Sequence, residues 1–219
     1  MLDTFRISVC LYIFVPAFIS STLAEDSIKY DDLDTWEAPP EIRNNFVYYL
    51  SGFDFEDRPI WIAETGKWDA RKIFDAGGEQ LKMLNKHIDQ ALYRYNQSLS
   101  IRSTPESPVT EGVVLLDMEG YDMRQLGHTR TIQWVFKKAH DVEVVARRMA
   151  KGFMINVNFI GERLINILKP VLGPSLARTD IYGTNNGTWI PKLLRHLPKE
   201  SLPAFYGGSA DFVPAAVYG

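Results

Sequence analysis

Hydrophobic positions change period in the second half of the chain. From 153 to 159 the residues Phe-Met-Ile-Asn-Val-Asn-Phe form a short, mostly apolar run between Gly152 and Gly161, which predicts a buried strand. Ile160, Leu164, Ile165, Leu168, Val171 and Leu172 then recur at helical spacing with Glu162, Arg163, Asn166 and Lys169 between them, and Gly173-Pro174 is expected to stop that helix. The same reading places a helix over 41–50 opened by Pro40, a turn over 51–57 and a strand over 59–63. Between 70 and 99 a helical rhythm breaks at Gly77-Gly78, so two helices are expected there with Asp69 as a cap, followed by a Pro- and hydroxyl-rich loop over 100–110. A strand at 112–118 that is apolar on both faces, a helix at 128–148, a short strand at 178–182 and a small helix at 189–196 complete the series. Strand and helix alternate, which predicts an α/β fold with a mostly parallel sheet and short crossovers.

Composition narrows the class. At 219 residues with 46% apolar side chains, the chain suffices for one sizeable core with an N-terminal appendage. A net charge of −3 without a basic run leaves no electrostatic footprint for nucleic acid. The single cysteine, Cys10, permits neither a disulfide framework nor a thiolate metal site. It lies in an apolar run over 7–21, preceded by Arg6 and followed by Thr22-Leu23-Ala24, shorter than the ~20 residues a spanning helix needs and similar to a signal peptide cleaved after Ala24. The expected organisation is therefore a signal-like segment at 1–24, a lead-in with a short helix at 25–57, the main domain at 58–210 and a tail at 211–219. In a secreted or lumenal chain, Asn96-Gln97-Ser98 and Asn186-Gly187-Thr188 would be glycosylation acceptors.

Catalytic readings find little to hold them. Asp117, Glu119 and Asp122 follow a strand, where carboxylates of an open α/β sheet could bind a hard cation, but no second acidic cluster accompanies them. Gly207-Gly-Ser-Ala-Asp lacks the strand–turn–helix setting of a nucleophile elbow, and Thr65-Gly66-Lys67 lacks the upstream glycine loop of a phosphate site. His87, His128, His140 and His196 are scattered on helices and are read as surface or capping residues. No catalytic residue, cofactor or metal is predicted.

Several strings in one order carry more information: WEAPPEI, LSGFDFEDRPIWI, LLDMEGYDMRQL, ILKPVLGP, DIYGT and LPAFYGG. From about Trp36 to Gly208 the chain resembles the CRAL-TRIO (Sec14-like) lipid-binding domain, and among its members the animal tocopherol-associated group. The resemblance implies a three-layer fold whose twisted sheet floors a hydrophobic cavity under a movable gate helix. It implies a floor built from Trp61, Val114, Leu116 and Met154 with Phe153 behind, a lid of Leu164, Leu168 and Val171, and Tyr182 nearby. Arg147, Arg148, Lys151 and Lys169 become candidates for meeting membrane phosphates.

The departures bear on ligand choice. Members that handle phosphatidylinositol carry a glutamate before the central strand and a lysine after the gate, where this chain has Arg147 and Thr179. Gly112 and Val114 stand where such members offer hydroxyls. A headgroup buried without partners costs several kcal/mol, so tocopherol, a retinoid, squalene or a plain fatty chain is preferred. The function this implies is non-enzymatic transfer of a small hydrophobic lipid by a monomer that visits membranes transiently. Relatives are mostly cytoplasmic, whereas the signal-like run stands in place of their N-terminal helical subdomain and points to a secreted or lumenal chain. The rival reading is a protein-interaction module in trafficking or signalling whose cavity is filled by side chains.

Overall fold

The structure is a computed structural model that describes residues 31–218, so the signal-like run and its cleavage site lie outside the described residues. Along the chain come α1 (Pro40–Arg43), β1 (Tyr48–Phe53), β2 (Pro59–Ala63), α2 (Arg71–Ala76), α3 (Gly78–Ser98), β3 (Gly112–Asp117) and α4 (Met123–Leu126). There follow α5 (Thr129–Ala146), β4 (Met149–Ile155), α6 (Phe159–Leu176), β5 (Thr179–Ile181), α7 (Asn186–His196) and β6 (Ala216–Val217). The strands form one sheet in the order β5-β4-β3-β2-β1-β6. β2 to β5 are parallel, and β1 runs antiparallel to both β2 and β6. The fold is thus α/β with a mostly parallel sheet.

Pleating sends alternate side chains to opposite faces. Ile60, Ile62, Val113, Leu115, Phe153 and Ile155 pack on one face with Trp189 and Leu193 of α7 and with Leu202 and Tyr206, and this is the main core. On the other face Trp61 pairs in register with Val114, Val114 with Gly152, and Gly152 with Thr179. Helices α3, α5 and α6 lie over that row, bringing Ala91, Val145 and Leu172 towards it.

The helix expected over 41–50 is a single turn, α1, and residues from Tyr48 onward form β1. Phe-Val-Tyr-Tyr-Leu is rich in aromatic and β-branched residues, which suit a pleated surface, and β1 serves both cores, sending Tyr49 to the α7 side and Tyr48 and Leu50 to the other. β4 ends earlier than the 153–159 run suggests. Asn156 turns the chain at a φ of 56°, and the Asn158 side chain then caps α6 by accepting from the Ile160 and Gly161 amides, each at 2.9 Å. α4 is an addition, opened by a capping box between Asp122 and Gln125.

His87 is not a surface residue. It is fully buried beside the Tyr48 ring at 4.9 Å, with Nε2 2.9 Å from the Phe46 carbonyl oxygen. A carbonyl only accepts, so Nε2 donates and Nδ1, which has no partner, is the bare nitrogen. Burial lowers its pKa from 6.5 to about 4, partly opposed by the Phe46 hydrogen bond. The unfolded chain therefore takes up a proton at His87 at higher pH than the folded one. Its contribution to stability is complete above pH 6.5 and is lost as pH falls towards 4, on the order of 3 kcal/mol from this group. Urea unfolding across that window is expected to show the loss, and His87→Gln is expected to flatten it.

Candidate functional site

Between the Trp61–Val114–Gly152–Thr179 row and helices α3, α5 and α6 lies a cavity of about 250 Å³. Its floor includes Trp61, Val114, Leu116 and Met154; Phe153 borders it while its side chain belongs to the core on the α7 face. The walls come from Ile88, Ala91 and Leu92 of α3, Val142, Val145 and Ala146 of α5, and Leu172, Ser175 and Leu176 of α6. No charged side chain lines it.

The polar atoms in this wall are nearly all engaged. Trp61 Nε1 donates to Ser98 Oγ at 2.9 Å, and Trp68 Nε1 donates to the Val47 carbonyl at 3.3 Å. Tyr95 donates its hydroxyl to the Arg148 carbonyl at 2.7 Å and accepts from the Gly112 amide at 3.1 Å. Tyr48 accepts from Arg94 at 3.0 Å. Thr65 turns its hydroxyl to the Asp117 carbonyl at 3.3 Å, and Thr179 donates to the Ser175 carbonyl at 2.8 Å. Burial pushes the Tyr48 phenol up to about 12, against the pull of Arg94, and pushes Tyr95 up as well, so both stay neutral. One group is left over: Ser175 Oγ is buried and has no partner.

One end of the cavity is closed by an aromatic stack. Tyr218, which follows β6, lies 5.7 Å from the Trp61 ring and 5.8 Å from Tyr48, with the Arg94 guanidinium 3.8 Å above it. The tail at 211–219 thus takes part in the structure through a strand paired on β1.

Four predicted contacts sit elsewhere. Leu164 packs with Met118, Tyr121 and Val157, and Tyr182 leans on the α7-side core while its hydroxyl donates to Asp180 at 3.1 Å. Leu168 and Val171 are not in the lining, because α6 does not stop at Gly173-Pro174. It runs on through Pro170 and Pro174 to Leu176, and its last turns supply the wall. Among the cationic candidates Lys151 pairs with Asp180 at 2.6 Å, whereas Arg147, Arg148 and Lys169 are exposed. Asp117, Glu119 and Asp122 do not converge: Asp117 accepts from Tyr206 at 2.8 Å and Asn156 at 2.9 Å, and Asp122 caps α4. Among the described residues no group of three or more His, Cys, Asp or Glu side chains is arranged to hold a metal ion.

The sequence pattern of the CRAL/TRIO domain family matches residues 43–208, a span that takes in every strand of the parallel sheet and the whole cavity lining. The chain belongs to the CRAL/TRIO domain family. It is 23% identical over 180 residues to the SEC14 cytosolic factor of Eremothecium gossypii, an alignment covering 80% of this chain and 56% of that protein. It is 21% identical over 179 residues to the phosphatidylinositol/phosphatidylcholine transfer protein SFH4 of Arabidopsis thaliana, covering 78% of this chain and 28% of that one. The crystal structure of Sfh5 superposes with a TM-score of 0.56 at 13% identity, covering 83% of this chain and 61% of that chain, and shares the fold. These curated relatives are fungal and plant proteins, and they give the animal tocopherol-associated group no support.

Within a CRAL/TRIO domain so built, the end of α6 is the weakest part of the cavity wall. Pro170 and Pro174 lack amide hydrogens, so the carbonyls of Asn166 and Pro170 lose their intrahelical donors. Gly173 lies between them, and a Cβ there would meet nothing within 4 Å. Gly173→Ala is expected to stabilise the protein by about 0.5–1 kcal/mol and raise its melting temperature by roughly 1–4 °C. It is also expected to slow ligand exchange in a stopped-flow displacement experiment.

Proposed function

We propose that this CRAL/TRIO domain binds a small hydrophobic lipid in the cavity beneath α6 and carries it between membranes without catalysis. The observation that carries this reading is the cavity itself: about 250 Å³, uncharged, walled by apolar side chains and by polar ones that already have partners, Ser175 excepted. Such a space rewards non-directional burial, about 0.8 kcal/mol for each CH₂ removed from water, and offers no group suited to bond making. The open volume speaks against a cavity plugged by side chains. The printed name of the Arabidopsis relative, a phospholipid transfer protein, supports lipid transfer in general.

Ligand choice follows from what the lining lacks. A phosphorylated headgroup drawn inside would meet no cation, and Thr179, Gly112 and Val114 leave the positions of the expected headgroup contacts without charge. A tocopherol, a retinoid, an isoprenoid or a plain fatty chain suits this interior better. Delivery needs a face that membranes receive, and α6 carries Phe159, 62% exposed, and Ile167 beside exposed Arg163 and Lys169. Transfer of a fluorescent fatty-chain lipid from donor to acceptor vesicles tests the reading. The protein is expected to speed transfer in proportion to its concentration; a rate equal to that of vesicles alone would refute it.

A further inference from the structure

We propose that Ser175 is the hydrogen-bonding anchor for the polar end of the ligand, and that the ligand is a neutral single-chain lipid ended by one hydroxyl. This deepens the lipid-binding reading above and rests on it. A serine inside a helix ordinarily turns its hydroxyl to solvent or back to the carbonyl one turn earlier. Ser175 does neither, being 6% exposed with an Oγ that has no partner, and it lies in the cavity wall. A buried hydroxyl left unpaired costs roughly 1–3 kcal/mol, so a group that pairs with it from inside the cavity is favoured by that need.

The surroundings decide what that group is. Thr179 donates to the Ser175 carbonyl at 2.8 Å, which spends its only hydrogen and leaves oxygen lone pairs beside Ser175. A hydroxyl can both donate and accept, so it suits this corner, whereas a hydrocarbon end satisfies nothing there. Opposite Thr179 the sheet presents Gly152, where a Cβ would collide with the Thr179 hydroxyl, so the floor is bare at this point and the corner is open to a small end group. No lining residue carries charge, which disfavours a carboxylate or phosphate in the same place. The volume, about 250 Å³, lies just below the usual range for ligand sites and suits one chain rather than two.

The test compares 1-dodecanol with n-dodecane as competitors for a bound fluorescent fatty-chain probe, in the full chain and in Ser175→Ala. The affinity ratio of alcohol to alkane is expected to fall about tenfold in Ser175→Ala, the worth of one buried hydrogen bond. The near-isosteric Ser175→Cys, which removes the strong hydrogen-bonding oxygen with little change of shape, is expected to show the same fall, so the result does not hang on one variant folding. A ratio unchanged within about twofold would overturn the anchor while leaving lipid binding in place. Failure of both competitors to displace the probe from the unmodified chain would overturn the anchor and the lipid-binding reading together.

Discussion

Val114→Trp is expected to abolish retention of the hydrophobic ligand proposed for this protein while leaving it folded. Val114 stands in the middle of the floor row, between Trp61 on β2 and Gly152 on β4. An indole grown from that position enters a space of about 250 Å³ that holds no side chain. Overpacking ordinarily costs about 1–3 kcal/mol because neighbours must move, and here the void takes the added atoms. Binding, in contrast, depends on that void. With apolar burial contributing about 25 cal/mol per Å², filling the centre of the site is expected to weaken affinity at least about a hundredfold. Fluorescent-probe titration reads the loss, and a thermal melt within a few degrees of the parent shows that folding survives. A folded Val114→Trp protein that binds the probe as tightly as the parent would place the ligand somewhere else.

Gly208→Ala is expected to have the largest effect on stability. A Cβ at Gly208 would collide with the backbone carbonyl of Leu202, which cannot swing away as a side-chain end could. The closing turn is tied down from several sides: the Gly208 amide donates to the Pro203 carbonyl at 2.9 Å, Pro203 bridges to Ser209, and Gly207 sits at a φ of 85°. This turn also positions Tyr206, whose hydroxyl donates to buried Asp117 at the end of β3. Burial and the Asp117 charge both push the Tyr206 pKa up, which keeps its proton in place for that bond. Displacing the turn therefore costs packing and strands a buried carboxylate oxygen. A destabilisation on the order of 4 kcal/mol, or roughly 10 °C in melting temperature, is expected. Gly173→Ala, the same change in open space, is expected to act in the opposite direction. Equal melting temperatures for the two variants would contradict the packing described here.

Much of the sheet is legible in the residues because its interior strands are buried on both faces and read as unbroken apolar runs, as at Gly112–Asp117. β1 is harder. Phe46 to Leu50 is continuous and apolar, and a run of that length has no period that separates strand from helix; only the paired tyrosines favour the strand. β6 is two residues long and exists through pairing with a strand more than 160 positions earlier, which local pattern does not encode. The floor of the cavity follows from alternation along β2, β3 and β4, so Trp61, Val114, Leu116 and Met154 come out of the pattern. The lid does not, because Pro170, Gly173 and Pro174 look like a stop. They lie on the outer side of α6 or face it only partly, where water can take the carbonyls that lose their donors, and the helix passes through them. The side walls on α3 and α5 are visible as helical rows through Ile88, Ala91 and Leu92 and through Val142, Val145 and Ala146, but a row alone does not say that it faces a void rather than a packed core. Ser175 carries no signal in the sequence at all: its lack of a partner is a property of the assembled wall.

Native mass spectrometry of the full chain, purified without detergent, bears most directly on whether this interior is built to hold a lipid. The expected spectrum shows a population heavier than the chain by the mass of one small hydrophobic molecule, and that excess disappears on extraction with organic solvent. A spectrum showing only the mass of the chain, before and after incubation with lipid vesicles, would contradict the account.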